Sequence, residues 1–120
     1  LYDKVFIGQS DVIKKLADKG SCVFVGRCAQ AVLKDYDNVI RVFVCAPMTQ
    51  RIARVSQGYG ISPTEAEKII KKNDKARAAY YKKYASLKWG DIDNYDLVVN
   101  TRIGTTKAAA IIADYVNELK

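Results

Sequence analysis

The residues in this chain whose types and spacing suit chemistry are arginines. Arg27 follows Gly26 at the close of an apolar run, Arg51 and Arg54 stand three apart, and Arg77 ends a DxxR segment that begins at Asp74. A guanidinium offers a planar fork of donors that can hold phosphate oxygens bidentately, and it stays ionised at any relevant pH. On a helix, a separation of three places Arg51 with Arg54, and Asp74 with Arg77, on one face. The chain has no histidine, which removes Ser/His and Cys/His nucleophilic pairs and the usual imidazole base. Its chemistry must run on carboxylates, arginines and lysines. Phosphoryl transfer fits that set, because it asks the protein for positioning and positive charge more than for covalent help.

The charge distribution points the same way. From residue 48 to residue 88 ten basic residues stand against Glu65, Glu67 and Asp74, so this stretch carries the whole formal charge of +7. A polyanion, or a small ligand with several phosphates, is the expected partner of such a segment. The lysines taken singly read as a solvated helical face. Cys22, Cys28 and Cys45 are odd in number, form no CxxC pair and lie in or beside apolar runs. They read as buried, reduced thiols of a cytoplasmic protein, with neither a disulfide framework nor a zinc site indicated. No apolar run approaches the ~20 residues that cross a bilayer, and the N-terminus lacks the basic-then-apolar order of a signal peptide. A first residue Leu1 leads us to expect that the biological chain begins further upstream.

The elements that must position these residues follow from periodicity. Val5, Phe6, Val12, Ile13, Leu16 and Ala17 lie on a 3.6-residue stripe, which predicts a helix over 2–19 stopped by Gly20. Residues 22–25 form a short, continuously apolar run, the pattern of a strand buried on both faces. A short helix is expected over 29–33, and a second β-branched strand over 40–45. A helix from Pro47 to about Ser56 ends at Gly58 and Gly60. Ser62, Pro63 and Glu65 then supply the N-cap, N1 and N3 residues of a capping box. The following helix keeps its spacing through Ile69, Ile70, Ala76, Ala79, Tyr80 and Tyr84, with a bend expected near Asn73. A third strand is predicted over 96–99, and a closing helix on the stripe Ala108, Ile111, Ile112, Tyr115, Val116 and Leu119. The order implies an α/β fold, a parallel sheet with flanking helices, in one domain over 1–120. Residues 47–88 form a helical excursion between its second and third strands. Ligands of such sheets sit beyond the C-terminal strand ends, here after Val25, Cys45 and Val99.

Those strand ends, read in order, carry a resemblance. SCVFVGRCA from Ser21, IRVFVCAP from Ile40, GIS-x-x-EA from Gly60, NDKARAAYY from Asn73 and KWGDIDNYDLVVNT from Lys88 together resemble the cytidylate-kinase-like branch of the P-loop nucleoside monophosphate kinases. The resemblance covers nearly the whole chain and is specific as an ordered set. It implies ATP-dependent phosphoryl transfer to a nucleoside monophosphate, with Mg2+ accompanying ATP. It also implies roles. Arg51 matches an arginine that contacts the acceptor monophosphate, with Arg54 as its helper. Arg77 resembles a lid arginine closing over the transferred group, with Asp74 orienting it, and the excursion 47–88 is then the lid. Gly26 and Arg27 would meet the acceptor phosphate, and Asn100 stands where the family carries an aspartate facing the pyrimidine nucleotide's sugar. Cys28 replaces the aspartate that follows the family's glycine-arginine pair. Tyr80, Tyr81, Tyr84 and Trp89 could stack on a base, although aromatic residues at helical spacing more often pack.

The chain contains no GxxxxGK[ST] loop. Gly58 and Gly60 lie between helices, the wrong context for cradling phosphates. The expected fold is therefore an incomplete P-loop NTPase fold, lacking its first strand and its P-loop. By the resemblance that strand lies between the strands matching 22–25 and 40–45, so its loss opens a gap lined by unpaired backbone groups. An upstream segment of the same chain is expected to supply both. A non-catalytic nucleotide-binding remnant is the alternative within the family. A basic nucleic-acid-binding module is the competing class; it ranks behind because no RNA-binding aromatic signature or recognition-helix turn is visible. The sequence sets no oligomeric state.

Overall fold

The computed structural model describes residues 2–119, with Leu1 and Lys120 outside the description. The chain divides into two compact units, Leu1–Val39 and Ile40–Lys120.

The first unit is built on α1, Tyr2–Lys19, the span that the apolar stripe predicts. Asp3 in its first turn and Lys19 in its last complement the helix dipole. Only part of the stripe is covered. Ile13 is buried with Ala29 and Leu33, and Ala17, Phe24, Val32, Tyr36 and Val39 pack around them. Val5, Val12 and Leu16 stay exposed. The Tyr36 hydroxyl donates to Asp18 at 2.9 Å, tying the chain after α2 (Ala29–Val32) to the last turns of α1.

The predicted strand over 22–25 does not form. These residues join no ladder, and Val23 and Val25 are 91% and 89% exposed. A strand exists only where a neighbour takes its N–H and C=O groups, and among the described residues the sheet consists of the other two expected strands alone. The cysteines divide for the same reason. Cys28 is buried, Cys45 half-buried, and Cys22, in the unpaired run, is exposed, contrary to the expected burial. Burial pushes the Cys28 thiol above its ordinary value, which keeps it protonated and unreactive.

In the second unit β1, Val42–Cys45, pairs in parallel with β2, Leu97–Asn100, in the register Val42 to Leu97 and Cys45 to Asn100. Asp96 fixes the start of this ladder. Its carboxylate accepts the Arg41 N–H at 2.7 Å while its own N–H donates to the Arg41 carbonyl at 2.8 Å. At the other end the buried Thr101 donates its hydroxyl to the Cys45 carbonyl at 3.3 Å. Parallel pairing requires a long crossover, which here runs through two helices. α3, Met48–Tyr59, starts after Pro47 and stops at Gly60, whose φ of 63° suits a residue without Cβ. α4, Pro63–Ala85, starts as the capping box predicts: the Ser62 hydroxyl accepts the Glu65 N–H at 3.2 Å, and Pro63 occupies the first turn. It runs through Asn73 as one helix, burying Ala66, Ile70 and Tyr81. A 3-10 turn at Ile92–Asn94 leads into β2, and α5, Thr105–Glu118, closes the chain with Ala108 buried.

Candidate functional site

Arg51 lies in the first turn of α3, its N–H donating to the Pro47 carbonyl just beyond the end of β1. From there its guanidinium reaches Asp74, in the middle of α4, with two parallel bonds: Nη1 to Oδ2 at 2.9 Å and Nη2 to Oδ1 at 2.7 Å. Arg77, one turn along α4, donates Nη2 to the same Oδ1 at 2.5 Å. One carboxylate thus gathers two guanidiniums, one from each helix of the crossover. The trio keeps a net positive charge and a partly exposed position, which suits an anion with several oxygens.

The electrostatics agree with the geometry. The Arg51 hydrogen bonds, reinforced by that of Arg77, hold the Asp74 carboxyl below its usual range, against the opposing effect of partial burial. Arg51 is held above the ordinary arginine value by its hydrogen bonds to Asp74, with partial burial again opposing. Both partners remain ionised across the whole neutral range.

A second layer supports Arg77. Its guanidinium carbon lies 5.0 Å from the centre of the Trp89 ring. Trp89 meets Phe43 of β1 edge to face at 5.5 Å, and Phe43 packs on Tyr95 at 4.9 Å. Gly90 follows with φ of 82°, a left-handed backbone that favours glycine, and lies against the Phe43 ring. Sequence reasoning missed this support. No spacing rule links residue 77 to residue 89, and a lone tryptophan beside a glycine in a polar loop was the only signal. Tyr80 and Tyr84 pack on each other at 4.7 Å, as expected of tyrosines at helical spacing.

The other expected site residues are placed differently. Arg54 is exposed on α3 and makes no ion pair among the described residues. Asn100 ends β2 and accepts the Arg102 N–H on Oδ1 at 2.9 Å, so its carbonyl caps the following turn. Gly26 and Arg27 belong to the first unit. There Gly26, Arg27 and Cys28 occupy the left-handed region in succession, with φ of 70°, 59° and 54°. That conformation is costly for the two non-glycine residues and belongs to sites where the chain must turn sharply. Arg27 is exposed and lines a hollow of about 380 Å³ with Val5, Gly8, Gln9, Val12 and Ile13. Among the described residues Arg27 is the one charged side chain lining that hollow, in contrast to the convergent Arg51–Asp74–Arg77 cluster.

Among the described residues no group of three or more Asp, Glu, Cys or His could hold a metal ion. Among the same residues no helix is long and apolar enough to cross a membrane.

Comparison with known proteins agrees with the resemblance. The model of the cytidylate kinase-like family matches residues 1–103. A cytidylate kinase from Methanopyrus kandleri is 28% identical over 96 residues, covering 73% of this chain and 50% of that protein. A cytidylate kinase from Methanothrix thermoacetophila is 28% identical over 91 residues, covering 76% of this chain and 51% of that one. The chain thus spans about half the length of the curated relatives it matches. The crystal structure of an uncharacterized protein from Eubacterium ventriosum superposes with a TM-score of 0.91 at 32% identity, over 95% of this chain and 65% of that one.

Proposed function

Because the chain belongs to the cytidylate kinase-like family, we propose that it takes part in ATP-dependent phosphoryl transfer to a nucleoside monophosphate. The observation that carries this reading is the cluster in which Asp74 aligns Arg51 from α3 and Arg77 from α4. In the reaction an oxygen of the acceptor phosphate attacks the γ-phosphorus of ATP, the bond from that phosphorus to the β–γ bridging oxygen breaks, and ADP leaves. Negative charge is shared among the transferring oxygens, and guanidinium forks set in advance stabilise it.

The roles assigned here are those the family resemblance implies, and the Arg51–Asp74–Arg77 cluster supports them. Arg51, at the mouth of α3, takes the acceptor phosphate, and Arg54 assists it from the next turn. Arg77, half-exposed on α4, meets the transferred group, and Asp74 orients both forks. The excursion 47–88 acts as a lid whose closure excludes water, so that the monophosphate is phosphorylated in preference to hydrolysis. Gly26, Arg27 and Asn100 are assigned to the acceptor nucleotide. The 120 residues hold no GxxxxGK[ST] loop, so the reading places the ATP phosphates and their Mg2+ on a segment outside them. In that assignment residues 1–120 form one partial kinase-like domain, and a cytoplasmic location, where nucleotides abound, goes with it.

The test is transfer from ATP–magnesium to CMP, dCMP, UMP and AMP by the full native chain, with thermal-shift titrations of the same nucleotides. Saturable stabilisation by a monophosphate and its conversion to a diphosphate support the reading. Stabilisation without conversion points to a binding remnant, and salt-sensitive binding of oligonucleotides alone points to a nucleic-acid module.

A further inference from the structure

Trp89 is the only tryptophan in the chain, and it is half-buried against a charged and an apolar neighbour. The Arg77 guanidinium lies over the ring, 5.0 Å from its centre. Phe43 also meets the ring, at 5.5 Å and an interplanar angle of 79°. Phe43 belongs to β1 and is itself packed on Tyr95. The indole therefore stands on the sheet, whereas the arginine it faces is carried by α4.

Arg77 has two contacts, the Trp89 ring and the Asp74 carboxylate. An aromatic ring attracts the face of a guanidinium and leaves its N–H donors free, since these lie in the plane and point outward. Asp74 takes one Nη2 donor. The remaining edge stays available, and the Arg77 side chain is 55% exposed, open to an arriving anion. Without the ring a long, flexible side chain tethered at one nitrogen could swing about that tether. Contact with the ring restricts that swing.

We propose, resting on the phosphoryl-transfer reading above, that Trp89 is a positioning residue: it fixes the plane of Arg77 so that the free N–H edge faces the transferred phosphoryl oxygens. Because the support is cation–π attraction at a half-exposed site, its loss should cost about two- to fivefold in rate. The effect falls on turnover more than on acceptor KM, since Arg77 meets the group in transfer and Arg51 the acceptor.

The experiment has two arms, both on the full native chain. In the first, the emission of Trp89 is compared between wild type and Arg77→Ala without nucleotide; a shifted spectrum is expected, and an unchanged one overturns the proposal. In the second, kcat and KM for CMP and ATP are measured for Trp89→Leu, Trp89→Phe, Arg77→Ala and the Trp89→Leu/Arg77→Ala double variant. The expected pattern is a fall in kcat for Trp89→Leu, recovery of most of it in Trp89→Phe, and no further loss when Trp89→Leu is added to Arg77→Ala. Independent, additive losses overturn the proposal, as does a phenylalanine variant no better than the leucine one. A wild type that transfers no phosphate while its emission still responds to Arg77→Ala would defeat the kinase reading and leave the Arg77–Trp89 pairing supported.

Discussion

Asp74 binds Arg51 through both carboxylate oxygens, at 2.7 and 2.9 Å, across 23 residues of sequence. The pair joins the first turn of α3 to the middle of α4, so the same contact that aligns a candidate phosphate ligand also holds the two crossover helices together. Arg77 on Oδ1 completes the cluster. Its partial exposure decides its character: water still reaches the charges, so the desolvation penalty of a fully buried pair is avoided, while the fork geometry is retained.

Acid should loosen this joint. Asp74 has a folded-state pKa below its ordinary value, chiefly through the Arg51 hydrogen bonds. A depressed carboxyl contributes stability that is fully present above the unfolded-state value near ~4, and that is lost as pH falls through the depressed folded value. Asp74→Asn removes that contribution at neutral pH, at a cost of about 1.5–3 kcal/mol for hydrogen bonds to charged partners. Urea midpoints at neutral and strongly acidic pH check this, the gap between wild type and variant narrowing as Asp74 is protonated.

Arg51→Lys keeps the charge and loses the fork. A lysine is a point charge and cannot make two parallel bonds to one carboxylate or phosphate. Transfer to the monophosphate should fall by roughly 10²-fold, the scale of removing one preorganised transition-state donor. Lys72→Ala, an exposed site on α4, is the control and should stay within about twofold.

Ser62→Ala tests the local logic of α4. The hydroxyl accepts the Glu65 N–H, and losing an N-cap of this type costs about 1 kcal/mol. Chemical denaturation of the variant should show a lowered midpoint with an unchanged slope.

What the sequence made legible was local. The capping box at Ser62 and Glu65 set the start of α4, the apolar stripe set α1, and the DxxR spacing put Asp74 and Arg77 together, because one-turn relationships are fixed by helix geometry alone. The strands expected over 40–45 and 96–99 were readable for a related reason, as short runs rich in β-branched residues, and they form as Val42–Cys45 and Leu97–Asn100. Residues 22–25 carry an equally strong apolar run, yet Val23 and Val25 face solvent. Apolar periodicity says what could be buried and is silent on whether a neighbour is present to cover it. The Arg77–Trp89 contact was hidden for the same reason, since it depends on where the loop after α4 returns to the sheet. The capping use of the Asn100 carbonyl followed from a turn that residue types alone did not announce.

The exposed run yields a contrast in stability. Val23→Ser should change unfolding free energy by less than about 0.5 kcal/mol, as at other exposed sites. Ile70→Ala, at a position only 4% exposed in α4, should cost about 2–5 kcal/mol. Thermal unfolding of both variants reads the difference, and equal losses would contradict the exposure described for Val23.

The most direct measurement is calorimetric titration of the chain with CMP and, separately, with cytidine, for the wild type and for Arg51→Ala. If Arg51, aligned by Asp74 beside Arg77, grips phosphate oxygens, the wild type binds the monophosphate saturably, cytidine binds much more weakly, and Arg51→Ala loses most of the difference. Equal affinity for CMP and cytidine, or a monophosphate affinity untouched by Arg51→Ala, would contradict the account.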